Sequence, residues 1–160
     1  MPALHLGGRG LNVAVWQPAD PSHAASMLAL MRHYYFEDGY AFVLEQAAPA
    51  LEKFLGSPEL GRAWILLQDG IVRGYVLLTF GYSLEYRGRD AFIDEIYVAP
   101  DLRGQGQGAI GLAVAEEGAR ACGVRVLHLE VEKAKPRTAA FYRRVGFADH
   151  DRWLMSKTLT

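Results

Sequence analysis

Apolar and polar residues follow one another in two rhythms along this chain, and the change of rhythm predicts its elements. Alternation with a period of two marks strands, whereas apolar positions three and four residues apart mark helices. Asp69-Gly70 separates two strand-like stretches and is typical of a tight hairpin. The predicted order is strand, helix, helix, three strands, helix, strand, helix and strand, over 11–16, 22–35, 47–55, 64–67, 71–80, 91–98, 108–122, 124–131, 136–145 and 147–159.

The order of these elements predicts one α/β domain. Consecutive strands joined by short turns pair antiparallel, whereas the strand, helix and strand within 91–131 form a right-handed parallel crossover. A mixed sheet with helices on both faces follows. The chain of 160 residues shows no linker and no internal repeat, so we expect a single domain over 1–160.

Composition removes several classes of function. The formal net charge of −1 gives no electrostatic reason to bind nucleic acid or an anionic membrane surface, and no apolar stretch reaches the ~20 residues of a membrane helix. The five histidines lack the spacing of metal ligands, so we expect no metal. The N-terminus shows no signal-peptide pattern, and the single cysteine, Cys122, fits a reducing compartment. We therefore expect a cytoplasmic protein.

A glycine-rich loop between a strand and a helix carries the most informative pattern. After Val98 the chain reads Ala-Pro-Asp-Leu-Arg-Gly-Gln-Gly-Gln-Gly, and an apolar-faced helix follows. Glycines let a ligand approach the backbone closely, and the first N–H groups of a helix are unpaired and carry partial positive charge. Arg103 adds a full positive charge. Together these features predict a pyrophosphate cradle, and a tight turn with an incidental arginine is the simpler alternative.

A second class of fold uses a similar cradle. Residues 106–111 match the dinucleotide fingerprint G-x-G-x-x-G, and Glu130 lies near the spacing of a ribose-binding acid. In that fold the glycines follow the strand directly, whereas residues 100–103 intervene here. After Glu130 only about one further βα unit remains, too little to complete a nucleotide-binding half. An NAD-binding Rossmann-type protein is therefore the weaker alternative.

Two motifs resemble those of the GNAT superfamily of acetyl-CoA-dependent N-acetyltransferases. Residues 103–108, Arg-Gly-Gln-Gly-Gln-Gly, resemble its coenzyme signature, an Arg or Gln, two residues, Gly, one residue, then Gly or Ala. Residues 140–147, Ala-Phe-Tyr-Arg-Arg-Val-Gly-Phe, resemble its second signature, a helix with an aromatic pair that closes in Gly-Phe. Their separation also matches the family. The resemblance is sharp over 91–148 and implies a mixed, mostly antiparallel sheet of about six to seven strands flanked by about four helices.

The resemblance also implies how acetyl-CoA is held. The strands over 91–98 and 124–131 splay, the pantetheine arm pairs with the backbone of Ile96 and Val98, and the Val98 N–H faces the thioester oxygen. Lys135 stands where the family often has an asparagine that holds the coenzyme arm, a departure that we expect to affect affinity. The expected coenzyme-binding residues are Ile96, Tyr97, Val98, Arg103, Gly104, Gln105, Gly106, Gln107, Gly108, Ala109, Lys135 and Tyr142.

Transfer to an amine requires a base for the amine and an acid for the departing thiolate. A lysine-like amine has a pKa of about 10.4, so its neutralisation near pH 7 costs roughly 4–5 kcal/mol. Glu95, in the middle of the strand that approaches the thioester, is the first candidate for the base, ahead of Glu130 on the neighbouring strand and of Asp94. Asp94 and Glu95 face opposite ways in a regular strand, and the sequence leaves open which faces the site. Tyr142 stands where the family carries its acid.

Aromatic and acidic residues occur where the family shapes its acceptor pocket, in the first two helices and before the coenzyme strand. Rings and carboxylates together suit a cationic amine. The expected acceptor-binding residues are Tyr34, Tyr35, Glu37, Glu85 and Asp94. Each taken singly is equally well explained as a core aromatic or a surface acid, so the acceptor, a small molecule or a protein, stays open.

Another class of function remains, a non-catalytic sensor that binds acyl-CoA on the same fold. Glu95, Glu130 and Tyr142 favour catalysis, because binding alone requires none of them. GNAT proteins are often homodimers, and an exposed sheet edge near the C-terminus invites pairing, so we expect a homodimer.

Overall fold

The computed structural model describes residues 13–159, which form two compact units, one up to Leu129 and one from Glu130. The first unit contains the sheet and three α-helices, and the second contains one α-helix. The strands are β1 (Val15–Pro18), β2 (Gly61–Gln68), β3 (Ile71–Ser83), β4 (Gly88–Val98) and β5 (Val126–His128), and the helices are α1 (Ala24–Glu37), α2 (Leu44–Leu55), α3 (Gln107–Ala121) and α4 (Pro136–Arg144).

The strands follow chain order in the sheet, β1-β2-β3-β4-β5. All neighbours pair antiparallel except β4 and β5, which pair parallel across α3. The mixed, mostly antiparallel class is therefore confirmed, with five strands in the described residues instead of six to seven. The predicted hairpin is also confirmed: Gln68 pairs with Ile71, and Asp69 and Gly70 between them have φ of +52° and +75°.

Each face of the sheet packs against helices of the first unit. Because side chains alternate along a strand, Ala63, Ile65, Tyr75, Leu77 and Tyr97 share one face, and they form a buried cluster with α1 and α2. The opposite face carries Trp16 and Trp64, which lie against α3 where Gly111 and Gly118 leave room for the two indoles. The first face also holds Glu95, which is described below.

The ends of two helices differ from the prediction. Asp20, and not Ser22, provides the first cap: its Oδ1 accepts from the Ser22 N–H at 2.8 Å and begins a 3-10 turn that leads into α1. Helix α2 begins three residues earlier than predicted. The signal for this start in the sequence is poor, because Val43, the residue before the helix, makes no side-chain cap and Pro49 lies inside the helix. A proline near a predicted start is easily taken for a first-turn residue.

The strand predictions were wrong at the C-terminal side. The strand predicted over 124–131 shortens to β5, which pairs with β4 at three positions only. The strand predicted over 147–159 is not found: this stretch has no helix or strand, and its apolar residues Trp153, Leu154 and Met155 are exposed. A strand requires a paired neighbour, which alternation alone does not supply. The first predicted strand, 11–16, begins outside the described residues and is observed as β1.

Candidate active site

An extra residue in β4 decides which acid faces the helices. Leu78 pairs with Ile93 and Leu77 pairs with Glu95, so Asp94 is a β-bulge opposite no residue of β3. In a regular strand Asp94 would share the face of Leu77. The bulge gives that face to Glu95 and leaves Asp94 exposed. The choice between the two acids that the sequence left open is thus made by the register of β4.

The Glu95 carboxylate accepts one tyrosine hydroxyl on each oxygen. The Tyr35 hydroxyl of α1 donates to Oε1 at 2.9 Å, and the Tyr75 hydroxyl of β3 donates to Oε2 at 2.8 Å. The rings around the carboxylate contact one another: Tyr75 stacks on Tyr97 with centroids 6.1 Å apart, and Tyr34 lies edge-on to Tyr35 at 5.5 Å. The Glu95 carboxylate is therefore fixed by one hydrogen bond from helix α1 and one from strand β3.

Burial and hydrogen bonding act in opposite directions on these groups. Burial raises the pKa of Glu95, the two tyrosine hydroxyls lower it, and the negative charge of Asp94 raises it again, so the pKa lies above its ordinary value. Burial and the nearby Glu95 raise the pKa of Tyr35 to about 12, and the same causes raise that of Tyr75 further. Both tyrosines therefore keep their protons at neutral pH and remain donors. Asp94 is exposed as a residue, but the partial burial of its carboxyl group still raises the pKa of that group.

Over part of its length, one edge of β4 has no strand beside it among the described residues of the first unit. The pairing with β5 ends at Phe92, so Ile93–Val98 continue alone on that side. The Ala99 N–H donates to the Arg73 carbonyl across β3 at 2.8 Å. By the alternation of an antiparallel ladder, the N–H and C=O groups of Ile96 and Val98 point away from β3 and toward the open edge. The pairing of β4 with β5 thus stops before Ile96 and Val98, as a splay of the two strands would require.

The glycine loop has the backbone that a cradle needs. Gly104 and Gly106 have φ of +73° and +81°, and Gly106 is the residue before α3. A Cβ at either position would meet open space, so conformation and not packing requires glycine there. The loop is held by its own side chains, since the Gln105 amide donates to the Asp101 carbonyl at 2.9 Å and Arg73 forms an ion pair with the Asp101 carboxylate. Gln107, Gly108 and Ala109 form the first turn of α3.

The guanidinium of Arg103 is held by β4 and by α1. Its Nε donates to the Val98 carbonyl at 2.8 Å, and Nη2 lies 2.8 Å from Glu37 Oε2 at the end of α1. The Tyr97 hydroxyl donates to the other oxygen of Glu37 at 3.0 Å, and the Arg103 guanidinium lies 5.1 Å from the centre of the Tyr97 ring. The structure therefore links the loop to α1 through a carboxylate that the sequence assigned to the acceptor.

Two of the predicted site residues do not lie in the structural positions that were expected for them. Glu85 is exposed in the turn between β3 and β4, at the opposite end of β4 from the loop. Glu130 was expected inside a strand, but it lies beyond the end of β5, is exposed, and belongs to the second unit. The argument that a buried strand position makes Glu130 a candidate base was therefore wrong in its premise.

The second unit carries Tyr142 and Lys135. Tyr142 lies on α4 and packs against Phe141 and Phe147, with ring centroids 5.2 Å and 5.8 Å away. Burial raises the pKa of Tyr142, which keeps its hydroxyl protonated at neutral pH. Lys135 is the residue before α4, and its Nζ lies 3.9 Å from a carboxylate oxygen of Glu132.

The sequence did not identify three residues around the acid and the strand edge. Tyr75 lies in an apolar strand, and a buried tyrosine normally has a hydrogen-bond partner, which was the available signal. Asp90 and His128 lie where β4 and β5 begin to part, with 3.4 Å between Asp90 Oδ2 and His128 Nε2. No local signal joins two residues so far apart in sequence. Across 13–159, no group of three or more His, Cys, Asp or Glu side chains is arranged to hold a metal ion.

Comparison with known proteins assigns the family. The model of the acetyltransferase (GNAT) family matches residues 26–147, which include the strand edge, the glycine loop and Tyr142. The chain therefore belongs to the GNAT acetyltransferase family, and the resemblance noted from its two motifs is confirmed. No helix of the described residues is long and apolar enough to cross a membrane.

Particular relatives differ in how much of the chain they resemble. The bovine (Bos taurus) thialysine N-epsilon-acetyltransferase is 35% identical over 82 residues, 51% of this chain and 48% of that protein, so the match spans about half of either length. The integron cassette protein HFX_CASS3 from the mobile metagenome of Cole Harbour Salt Marsh is 33% identical with a TM-score of 0.81, covering 91% of this chain and 90% of that one. The aminoglycoside N-acetyltransferase AAC(6')-Iy, in complex with CoA, shares the fold at 15% identity and a TM-score of 0.81, over 97% of this chain and 100% of that one.

Proposed function

We propose that this chain transfers the acetyl group of acetyl-CoA to a primary amine of a small molecule or protein by direct attack on the thioester. One observation carries the proposal: Glu95, held by two tyrosine hydroxyls, lies one residue before the open backbone edge of Ile96 and Val98. A carboxylate that can act as a base thus lies beside a strand edge where an extended ligand can pair, although the Val98 carbonyl at this edge accepts from Arg103 Nε. The family and the relatives that bind CoA support this proposal.

The strand edge and the glycine loop each bind a different part of the coenzyme. The pantetheine arm pairs with Ile96 and Val98 as an added strand, beside Tyr97, and the Val98 N–H stabilises the oxyanion of the tetrahedral intermediate. The pyrophosphate lies against the backbone N–H groups at the start of α3, where the helix dipole favours negative charge. The residues assigned to the pyrophosphate are Arg103, Gly104, Gln105, Gly106, Gln107, Gly108 and Ala109, with Lys135 on the coenzyme arm.

Proton transfer completes the reaction. Glu95 takes a proton from the acceptor ammonium, directly or through water, and the neutral nitrogen attacks the thioester carbon. When the tetrahedral intermediate collapses, the C–S bond breaks and Tyr142 gives its hydroxyl proton to the leaving thiolate. The second proton lost by the attacking nitrogen restores the Tyr142 hydroxyl through solvent, and Glu95 releases the first to solvent. The products are the acetylated amine, coenzyme A thiol and one released proton. Glu130 and Asp94 are the alternative bases, and both rank below Glu95 because both are exposed.

The acceptor approaches over the face that α1 and α2 cover. Tyr34 and Tyr35 present rings there, and Glu37 and Asp94 supply negative charge for a cationic amine, whereas Glu85 lies at the far end of β4. These features favour an acceptor with an ammonium group and do not distinguish a small molecule from a protein lysine. We also infer a homodimer that pairs through β5, one of the two edge strands of the sheet. A monomeric mass by sedimentation at high concentration would contradict it.

The experiment measures free thiol release from acetyl-CoA with a panel of amine acceptors, together with acetyl-CoA affinity by calorimetry. Glu95→Gln should lower turnover about 10²- to 10⁴-fold at pH 7 and recover partly at high pH, where the amine is already neutral. Tyr142→Phe should keep affinity and lose turnover. Glu117→Gln, an exposed carboxylate of α3, is the matched control and should behave as the parent.

The outcomes separate the competing interpretations. Tight acetyl-CoA binding without thiol release with any amine would identify a non-catalytic acyl-CoA sensor. Binding of NAD and not of acetyl-CoA would restore the dinucleotide alternative. If Glu130→Gln alone shows the loss at neutral pH and the recovery at high pH, the base is Glu130. Unchanged turnover in all three variants means that the assigned acid and bases are structural.

A further inference from the structure

The two hydroxyls on Glu95 come from residues in different surroundings. Tyr75 is fully buried at 0% exposure in the middle of the sheet. Tyr35 is only partly buried, on the last turns of α1, where its ring contacts Tyr40 at 6.3 Å and Phe42 at 5.6 Å. The carboxylate is thus fixed on one side by the core and on the other by the helix that covers the acceptor face.

From these contacts we propose that Tyr35 and Tyr75 are positioning residues for Glu95, and that Tyr35 acts through this carboxylate instead of contacting the acceptor amine. The inference rests on the proposed function, in which Glu95 is the base. The interpretation of Tyr35 as an acceptor-binding residue is therefore replaced by a role one contact further from the chemistry.

The hydrogen-bond geometry explains why a carboxylate here needs two donors. A carboxylate removed from water is unstable unless its oxygens are bonded, and each oxygen of Glu95 receives one hydroxyl. With both donors present, the plane and the direction of the carboxylate are fixed. Loss of one donor frees the side chain to rotate, and a displacement of about 1 Å at a catalytic group can reduce the rate about 10²-fold.

The titratable groups around Glu95 determine how its pKa should change when one tyrosine hydroxyl is removed. Tyr35 faces it from α1, Tyr75 from β3, and Asp94 is its neighbour on β4, while Tyr34 acts on Tyr75. Glu37 and Arg103 pair with each other beside Tyr97, two residues along the strand. Since hydrogen bonds from Tyr35 and Tyr75 lower the pKa of Glu95 against the effect of burial, removing either hydroxyl must raise it. When the pKa of the base is higher, the base becomes protonated at a higher pH, so the acidic limb of the pH–rate profile moves to higher pH.

The test compares Tyr35→Phe and Tyr75→Phe with Tyr82→Phe, which removes an exposed hydroxyl from the same strand as Tyr75. The titration of Glu95 is followed in each protein by NMR of the carboxyl carbon, without substrate. The pH profiles of kcat and of the acceptor KM are measured with one good amine. The NMR readout does not depend on turnover, so Tyr35→Phe still tests the contact if Tyr75→Phe folds poorly.

We expect the Glu95 midpoint to rise in both variants and to stay unchanged in Tyr82→Phe. For Tyr35→Phe, kcat at pH 7 should fall about 10- to 100-fold, its acidic limb should move to higher pH, and the acceptor KM should stay within about twofold. An unmoved Glu95 midpoint would overturn the inference. So would a raised KM with unchanged kcat, since that pattern belongs to an acceptor contact. A raised midpoint with an unmoved acidic limb would instead reject Glu95 as the base.

Discussion

Replacing Gly111 by alanine should displace the first turns of α3, because the new methyl group would collide with the indole of Trp16. A Cβ at Gly111 would lie 2.6 Å from Cζ2 and 2.8 Å from Cε2 of Trp16, whereas ordinary contact begins at 3.4 Å. The indole has little freedom to move away. It is buried, and its Nε1 donates to the Gln107 carbonyl in the first turn of the same helix at 3.1 Å.

Two opposing effects set the size of the change. Overpacking a core by one methyl group costs about 1–3 kcal/mol, whereas alanine in place of glycine inside a helix contributes about 1 kcal/mol of stability. The shortest contact falls 0.8 Å below 3.4 Å, so the collision should dominate. We expect a net loss of about 1 kcal/mol in the free energy of unfolding, which lowers Tm by roughly 2–4 °C in a domain of this size.

The matched control is Gly118→Ala, two turns further along α3. Its Cβ would lie 2.2 Å from Cζ2 of Trp64, so urea unfolding should show a loss at least as large as that of Gly111→Ala. Only Gly111 is next to the glycine loop, and only Gly111→Ala should weaken acetyl-CoA binding in calorimetry. A Gly111→Ala protein that gains stability, as helix propensity alone predicts, would refute the reasoning. Equal loss of coenzyme affinity in both variants would refute the link between the Trp16 contact and the loop.

Two further predictions concern the loop. Gly106→Ala and Gly123→Ala both place a side chain at positive φ and should each lose about 1 kcal/mol of stability, but only Gly106→Ala should reduce acetyl-CoA affinity, by more than about tenfold (1.4 kcal/mol); equal affinities in calorimetry would contradict the cradle. Glu37→Gln removes the charge that occupies Arg103, so acetyl-CoA should bind up to about fivefold more tightly, the value of an exposed ion pair. That gain should shrink as salt rises, and weaker binding at low salt would show that Glu37 holds Arg103 in place for the coenzyme.

Local chemistry made parts of this fold predictable from the sequence. Asp69-Gly70 forms its hairpin from backbone preferences that act within four residues. The loop and the start of α3 were placed within one residue, because alternating glycines and an apolar helical face are local signals. The C-terminal strand failed for the opposite reason. Alternation over 147–159 suits a strand, but a strand exists only where another strand pairs with it.

The site was predictable in its residue types and not in its contacts. Glu95 was selected as an unusual charge in a buried strand, but its position on the α1 face depends on the bulge at Asp94, and register is a property of two strands. Tyr35 lies 60 residues from Glu95 in sequence, so the bond between them follows from the packing of α1 on the sheet. The same packing joins Glu37 to Arg103, which no motif foreshadows.

The bulge at Asp94 divides β4 into two segments, and the alternation of inward-facing and outward-facing residues starts again after it. Before it, Asp90 and Phe92 share the face of α1 and α2, and after it Glu95 and Tyr97 do. If a change in the length of the β3–β4 turn shifts the first segment by one residue, the bulge can absorb that shift before it reaches the second segment. The acid and the open edge are thereby insulated from the turn. The segment from Glu95 to Val98 thus takes its orientation from its own pairing with residues 74–77 of β3 and not from the length of the β3–β4 turn.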